Sequence, residues 1–296
     1  MEEGTDLPWD RKTLLSRIAD THKQIRYEAG SPDPTEIARY RALLGACCGP
    51  DAPPRRIVVL GMTPELRRMA LATGAEVLTL DSNPEAIALY RSWVPEPDRE
   101  RESIVQGDWF AIERLIDGRV DGVLGDGVFG NILTIEAHER LLRTLRCIIN
   151  PGGRIILRQA LIPRDFPLDE HEAGALVARF RRGQLTPAEF GFGMRLWGSF
   201  TQAYRHATFL LDNRVVFERY RDWLEQGRLT PEEFGLIRRY YFGGMNVILP
   251  QEVWEALLGR CDLRFEVQPL AGRAWYAYYP IYGCDAAEHR PEGCAS

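Results

Sequence analysis

Hydrophobic and polar positions divide the chain into stretches of different period. Between residues 55 and 160, short apolar runs alternate with amphipathic stretches of helical spacing. The pattern predicts strands at Arg56–Gly61, Glu76–Asp81, Ser103–Gln106, Val120–Gly125 and Gly153–Gln159. It predicts helices at Pro64–Thr73, Pro84–Trp93, Trp109–Ile116 and Ile135–Ile148. Strands alternating with helices imply right-handed βαβ units and a mostly parallel α/β sheet. Before this block, Leu14, Leu15, Ile18 and Ile25 fall at helical spacings, Ser31-Pro32-Asp33-Pro34 interrupts, and a second helical segment runs from Thr35 to Ala46. The linker Gly49-Pro50-Asp51-Ala52-Pro53-Pro54 comes next. From 165 to 259 no strand is predicted, and helical segments rich in Phe, Tyr, Trp and Arg take over. Leu263–Gln268 and the aromatic Ala274–Tyr282 then read as two strands around Leu270-Ala271-Gly272-Arg273, an antiparallel edge that finishes the sheet.

One helix start recurs. Gly183-Gln184-Leu185-Thr186-Pro187-Ala188-Glu189-Phe190-Gly191 returns as Gly227-Arg228-Leu229-Thr230-Pro231-Glu232-Glu233-Phe234-Gly235. Thr as N-cap, Pro as first helical residue and acids in the first turn are a helix-start signal. Thr63-Pro64-Glu65 and Asn83-Pro84-Glu85 repeat it, so Thr-Pro-Glu alone carries no chemistry.

Composition narrows the class. The 296 residues are 45% hydrophobic and 27% charged, with a net charge of -5. Such a chain is an ordinary soluble globular protein and, lacking a long basic run, argues against a nucleic-acid partner. No apolar stretch reaches the roughly 18 residues of a membrane span, and the N-terminus lacks a signal pattern; the expected location is cytoplasmic. The six cysteines form no C-x-x-C pair, so reduced thiols are the expectation. The histidines stand apart from one another, Asp169-Glu170-His171-Glu172 reads as an exposed acidic helix start, and no metal site is expected. The partner expected is a small molecule, without membrane or nucleic acid, and a homodimer is compatible with the sequence.

Candidate chemistry lies at the strand ends. Gly61 closes the first strand and stands before a helix whose N-terminus faces the crevice beyond the sheet. Asp81 closes the second strand about 20 residues later, where a carboxylate usually meets a ribose diol and disfavours a 2′-phosphate. Gly107-Asp108-Trp109 ends the third strand, Gly125-Asp126-Gly127 the fourth, and Asn150-Pro151-Gly152-Gly153 opens the fifth. An NAD-dependent dehydrogenase would need Gly-x-Gly-x-x-Gly after the first strand, which Met62 and Thr63-Pro64 do not supply. No nucleophile elbow or Cys–His motif is present.

In that order, these strand ends resemble the class I S-adenosylmethionine-dependent methyltransferases. The resemblance covers 55–160 by motif and 262–282 by topology. It implies an α/β, Rossmann-like sheet, mostly parallel with an antiparallel last strand, carrying N-terminal helices and a helical cap insertion between strands 5 and 6. The implied domains are an N-terminal helical cap (1–54), a cofactor domain (55–164 and 260–283), a substrate cap (165–259) and a disordered tail (284–296). The implied cofactor is S-adenosyl-L-methionine: Asp81 and Ser82 at the ribose, Gly107, Asp108 and Trp109 at the adenine, Asp126, Gly127 and Asn131 at the methionine end and the acceptor. The departure is the first loop, where Gly61, Met62 and Thr63 replace the usual acid and three glycines. The form is similar to the Gly-x-Thr-Pro-Glu of a group of small-molecule methyltransferase-like proteins.

The resemblance implies an in-line methyl transfer to a small molecule, with specialised metabolism as the expected setting, in a capped aromatic pocket. Two alternatives stay open: a cyclase or lyase that releases methylthioadenosine from the same cofactor, and a non-catalytic nucleotide-binding protein. Candidate bases are His206 in the insertion and His22 and Tyr27 in the N-terminal cap. Gly243-Gly244-Met245-Asn246 reads as a hinge or a close backbone approach.

Overall fold

A computed structural model describes residues 28, 30–46, 56–241 and 244–286. The N-terminal positions Leu14 to Ile25, His22 and Tyr27 lie outside the described residues, as do Gly243 and the tail from 287.

Twelve strands are described: β1 (Arg56–Leu60), β2 (Glu76–Asp81), β3 (Glu102–Gln106), β4 (Val120–Asp126), β5 (Ile149–Arg158), β6 (Leu161–Ile162), β7 (Tyr204–Arg205), β8 (Leu210–Asp212), β9 (Met245–Val247), β10 (Leu249–Pro250), β11 (Leu263–Val267) and β12 (Ile281–Ala286). The main sheet has the order β11-β12-β5-β4-β1-β2-β3. β12 runs antiparallel to both neighbours, and the remaining pairs are parallel. β1 is central and its Ile57, Val58, Val59 and Leu60 are buried, as a parallel strand covered on both faces requires. The chain crosses from β1 outward to β3 and then returns to β4 on the other side of β1. The ends of β1 and β4 therefore flank the topological switch point, where open α/β sheets take ligands.

Some boundaries differ from expectation. Cys284, Asp285 and Ala286 belong to β12 rather than to a tail. Trp109–Arg114 is a 3-10 helix. Ala274–Tyr278, read as strand, is also a 3-10 helix, because Trp275, Tyr276 and Tyr278 all bury into the aromatic core of the insertion instead of alternating between faces. The insertion is not free of strands. β7, β8 and β9 make a small antiparallel sheet, and β10 pairs with β6. Each has two or three residues, too few to display a period. Cys261 and Cys284 are free thiols. Cys147 is disulfide-bonded, which corrects the expectation of reduced thiols.

The two copies of the Thr-Pro start open the helices Pro187–Leu196 and Pro231–Arg238, each with a complete capping box. The two helices pack on one another through Gly191. A Cβ there would stand 2.6 Å from the Leu236 carbonyl and 2.8 Å from the Tyr240 ring.

The helix Pro34–Gly45 is fastened to the sheet by buried charge. Asp33 and Glu36 form its capping box, with the Asp33 N–H donating to Glu36 Oε2 at 2.9 Å and the Glu36 N–H to Asp33 Oδ1 at 3.0 Å. The other oxygen of Glu36 accepts from Arg158 Nη1 at 2.8 Å. Arg158 turns the rest of its fork on Asp126, at 2.7 Å from Nε and 3.3 Å from Nη2. Tyr40, on the same helix, donates to the Gly125 carbonyl at 2.7 Å. Burial raises the Glu36 pKa, and the Arg158 charge opposes that rise.

The glycine contact and the ion triad can each be tested by stability. Gly191→Ala must push the paired helices apart and should destabilise by about 1–3 kcal/mol in thermal unfolding. Gly193→Ala, whose Cβ would meet only Leu176 methyls at 3.6 Å, should be neutral or stabilising by up to about 1 kcal/mol. Equal effects would remove the Gly191 contact as the explanation. Arg158→Met strands two carboxylates and should cost about 3–5 kcal/mol. A Tm that does not move would show that the ion triad does not hold the helix.

Candidate active site

At the end of β1, Gly61 has φ +83, a left-handed conformation that glycine takes without strain, and open space where a Cβ would stand. Its N–H donates to the Leu80 carbonyl at 2.8 Å, drawing the first loop toward the end of β2. Met62 is buried, and Thr63 opens the helix Pro64–Leu71. Here the Thr-Pro-Glu signal behaves differently from its copies. Thr186 and Thr230 bond the N–H groups of Glu189 and Glu233, whereas Thr63 makes no side-chain capping bond. The hydroxyl of Thr63 is thus not spent on its own helix, whose N-terminus carries the favourable end of the dipole.

Asp81, at the end of β2, accepts from the Asn83 N–H at 2.9 Å. Burial raises its pKa, and the Asn83 and Ser82 backbone N–H groups oppose the rise. Ser82 beside it is exposed. The third strand end closes over the same point. The Gly107 N–H donates to the Asp81 carbonyl at 3.0 Å, and the Trp109 indole donates to the Leu80 carbonyl at 2.9 Å. A Cβ on Gly107 would stand 2.6 Å from a Leu115 methyl, so that side chain would have to move. Asp108 is exposed and caps the 3-10 turn by accepting from the Phe110 N–H at 3.0 Å. Gly61, Asp81, Gly107 and Trp109 are therefore joined by bonds to backbone carbonyls into one rim across β1, β2 and β3.

On the far side of the switch point, the Asp126 carboxylate is held by Arg158. Gly127 has φ +63 and its N–H donates to the Arg158 carbonyl at 2.9 Å. Asn131 is exposed, donates to the Gly127 carbonyl at 3.3 Å and accepts from Asn246 Nδ2 at 3.3 Å. Asn246, on β9, also donates to the Gly130 carbonyl at 3.1 Å and accepts from Arg195 at 2.5 Å. The Gly244–Asn246 stretch is thus the place where the insertion grips the loop after β4. Tyr279 stands between the two halves, its ring 4.7 Å from the Arg158 guanidinium and 5.7 Å from the Phe192 ring. Burial raises its pKa, while the Arg158 and Arg195 charges lower it.

His206 lies exposed on the turn between β7 and β8, with its ring edge-on to Tyr204 at 5.0 Å. Sequence reasoning missed Glu36, Arg158, Arg195, Asn246 and Tyr279. An arginine closing an otherwise apolar strand, Arg154-Ile155-Ile156-Leu157-Arg158, was the available signal: such a charge inside a sheet needs acids, and Asp126 is at hand. Among the described residues, no group of three or more His, Cys, Asp or Glu is arranged to hold a metal ion, and no helix is long and apolar enough to cross a membrane.

No protein-family model matches the chain, and no curated protein matches it. Solved structures do. A putative Zn-dependent alcohol dehydrogenase from Rhodobacter sphaeroides aligns over 92% of this chain and 98% of its own, at TM-score 0.54 and 17% identity. The CcbJ methyltransferase from Streptomyces caelestis aligns over 93% and 98%, at TM-score 0.55 and 12% identity. The N-methyltransferase NodS from Bradyrhizobium japonicum WM9, in complex with S-adenosyl-L-homocysteine, aligns over 96% and 100%, at TM-score 0.52 and 11% identity. The reversed β12 inserted between β5 and β11 is the topology that the methyltransferase resemblance implies. The chain has the class I S-adenosylmethionine-dependent methyltransferase fold.

Proposed function

We propose that the protein is an S-adenosylmethionine-dependent methyltransferase acting on a small molecule. The observation that carries this reading is the bonded rim of Gly61, Asp81, Gly107 and Trp109 at three adjacent strand ends of this fold. The rim's chemistry fits the cofactor. Asp81 is a half-buried carboxylate that accepts from the Asn83 backbone N–H, and ribose hydroxyls are further donors such a group accepts. Trp109 offers a fixed indole beside the adenine position, with Asp108 exposed next to it. Thr63 and the N-terminus of the helix Pro64–Leu71 offer donors to a carboxylate. Open space at Gly61 leaves the approach clear.

When bound, the cofactor supplies a methyl group on a sulfonium, so that displacement leaves a neutral sulfide. The protein's part is alignment and exclusion of water. Asp126 is engaged by Arg158 and is not assigned the role of a base. In this reading Asn131 and Asn246 position the loop after β4, and the partly exposed Tyr279 offers an aromatic ring to the acceptor side, backed by Phe192. An amine acceptor in its neutral form needs no general base, whereas an acceptor that must lose a proton would call on a base such as His206 or Tyr27.

Three measurements test the reading. In the first, the protein is incubated with S-adenosylmethionine alone and with candidate small-molecule acceptors. S-adenosylhomocysteine formed only with an acceptor is the expected product. Methylthioadenosine formed without one would replace methyl transfer by cyclisation or lysis, and no turnover would leave a binding protein. In the second, calorimetry on Asp81→Ala should show S-adenosylmethionine bound more weakly by about 1.5–3 kcal/mol, roughly 10- to 150-fold. Unchanged affinity would remove Asp81 from the ribose.

The third uses pH. The charged Asp81 accepts the hydroxyls, and its pKa lies above the ordinary aspartate value of 3.8. Affinity should therefore be full above the raised pKa and fall as pH drops through it. Asp81→Asn should flatten that limb of the profile. A wild-type profile that is already flat would refute the assignment.

A further inference from the structure

Gln159 directly follows Arg158, the last residue of β5. It is 1% exposed. Among the described residues neither Oε1 nor Nε2 has a hydrogen-bond partner. Its backbone N–H donates to the Pro280 carbonyl at 3.2 Å, so the chain is held there while the amide is not.

The place is specific. A Cβ on Gly130 would stand 3.9 Å from Gln159 Nε2 and 3.8 Å from the Val247 carbonyl. The amide therefore lies between the end of β5, the turn Phe129–Asn131 after β4 and the insertion strand β9. That is the crevice beyond the strand carboxyl ends, on the acceptor side of the switch point. The amides around it have partners: Asn131 and Asn246 bond one another, and Asn213 Nδ2 donates to Asn246 at 2.9 Å. A buried carboxamide with both ends unmatched, next to amides that bond one another, points to a ligand.

We propose that the Gln159 carboxamide recognises the acceptor by pairing with a group that donates and accepts at one end, such as a carboxamide, a lactam or a hydroxyl. Gln159 is a positioning and specificity residue, since a site built on such an amide penalises an acceptor that leaves it unpaired. The inference rests on the methyltransferase reading only in calling the ligand the acceptor.

The probe is acetamide, with acetone as a control that accepts but cannot donate. The Gln159 side-chain NH₂ resonances of 15N-labelled protein are identified by their loss in Gln159→Leu, or in Gln159→Met should the first variant not fold. Titration with acetamide should shift these resonances saturably in the wild type, with acetone shifting them less. Resonances that stay fixed, as for an amide satisfied by an internal water, would overturn the proposal. So would acetamide perturbing the neighbouring backbone equally in wild type and variant. An acetamide soak of wild-type crystals gives a second readout that needs no variant, and density elsewhere than beside Gln159 counts against the site.

S-adenosylhomocysteine calorimetry on the same wild-type sample separates the two ideas. No cofactor binding with shifting Gln159 resonances would sink the methyltransferase reading and leave the polar site. Cofactor binding with fixed resonances would sink the Gln159 assignment alone.

Discussion

A guanidinium cannot shed its charge, so Arg158, buried at the end of β5, has to be met by carboxylates. Much of the surrounding structure answers that need. Asp126 comes from the neighbouring strand end and takes two of its N–H groups. Glu36 comes from the first turn of the helix Pro34–Gly45 and takes a third. The same Glu36 closes the capping box with Asp33, and Asp33 in turn accepts from the Tyr276 hydroxyl. Tyr279 covers the guanidinium face. One charge thus ties together a helix before the sheet, two strand ends within it and the aromatic turn that precedes β12. A triad of this kind adds little net stability compared with an apolar replacement, but it dictates which segments meet.

The tie also explains which parts of the molecule could be read from the sequence. Strands such as Ile57-Val58-Val59-Leu60 and the helix Ile135–Ile148 carry their period within themselves, and that period located them. Asp81 and Gly107 were legible as strand ends, and strand ends in this topology face a common crevice. Glu36 was not. In the sequence it is one acid in a helix start, and nothing near it announces an arginine about a hundred residues away or more. The aromatic run Trp275-Tyr276-Ala277-Tyr278-Tyr279 misled for a related reason. β-propensity argued for a strand, but the helical insertion supplied a core that buries these rings from several directions. Residue type gave the burial correctly and the backbone wrongly.

Thr63, Thr186 and Thr230 show how identical local chemistry takes different roles. All three precede a proline at the first helical position. In the insertion the threonine and the glutamate three residues on satisfy each other, and the helix start is closed. After β1 the residue three positions on is Leu66, which offers no reciprocal bond, and the capping bond is absent. Thr-Pro-Glu therefore marks where the helix begins and is silent about its end group. What distinguishes the first copy is the absent capping bond at a helix start that faces the switch point, and Leu66 alone does not account for it, since Thr134 accepts from the Ala137 N–H with no acid three residues on.

The two sides of that switch point are built differently, and the difference bears on how such a site would work. The rim over β1, β2 and β3 is made largely by backbone: the Gly61 and Gly107 N–H groups donate to the carbonyls of Leu80 and Asp81, and the Trp109 indole also donates to the Leu80 carbonyl. The side over β4 is made by side chains from the insertion and the late aromatic turn: Asn246 bonds the loop after β4, Arg195 donates to Asn246, and Phe192 packs on Tyr279. Its shape depends on residues that share no period and come from distant segments. A displacement that leaves a neutral sulfide asks for alignment and dryness rather than for a catalytic triad. In the proposed reaction both demands would fall where the insertion meets the ends of β4 and β5, where Asn246 bonds the loop after β4 and Gln159 lies beside Gly130 and Val247.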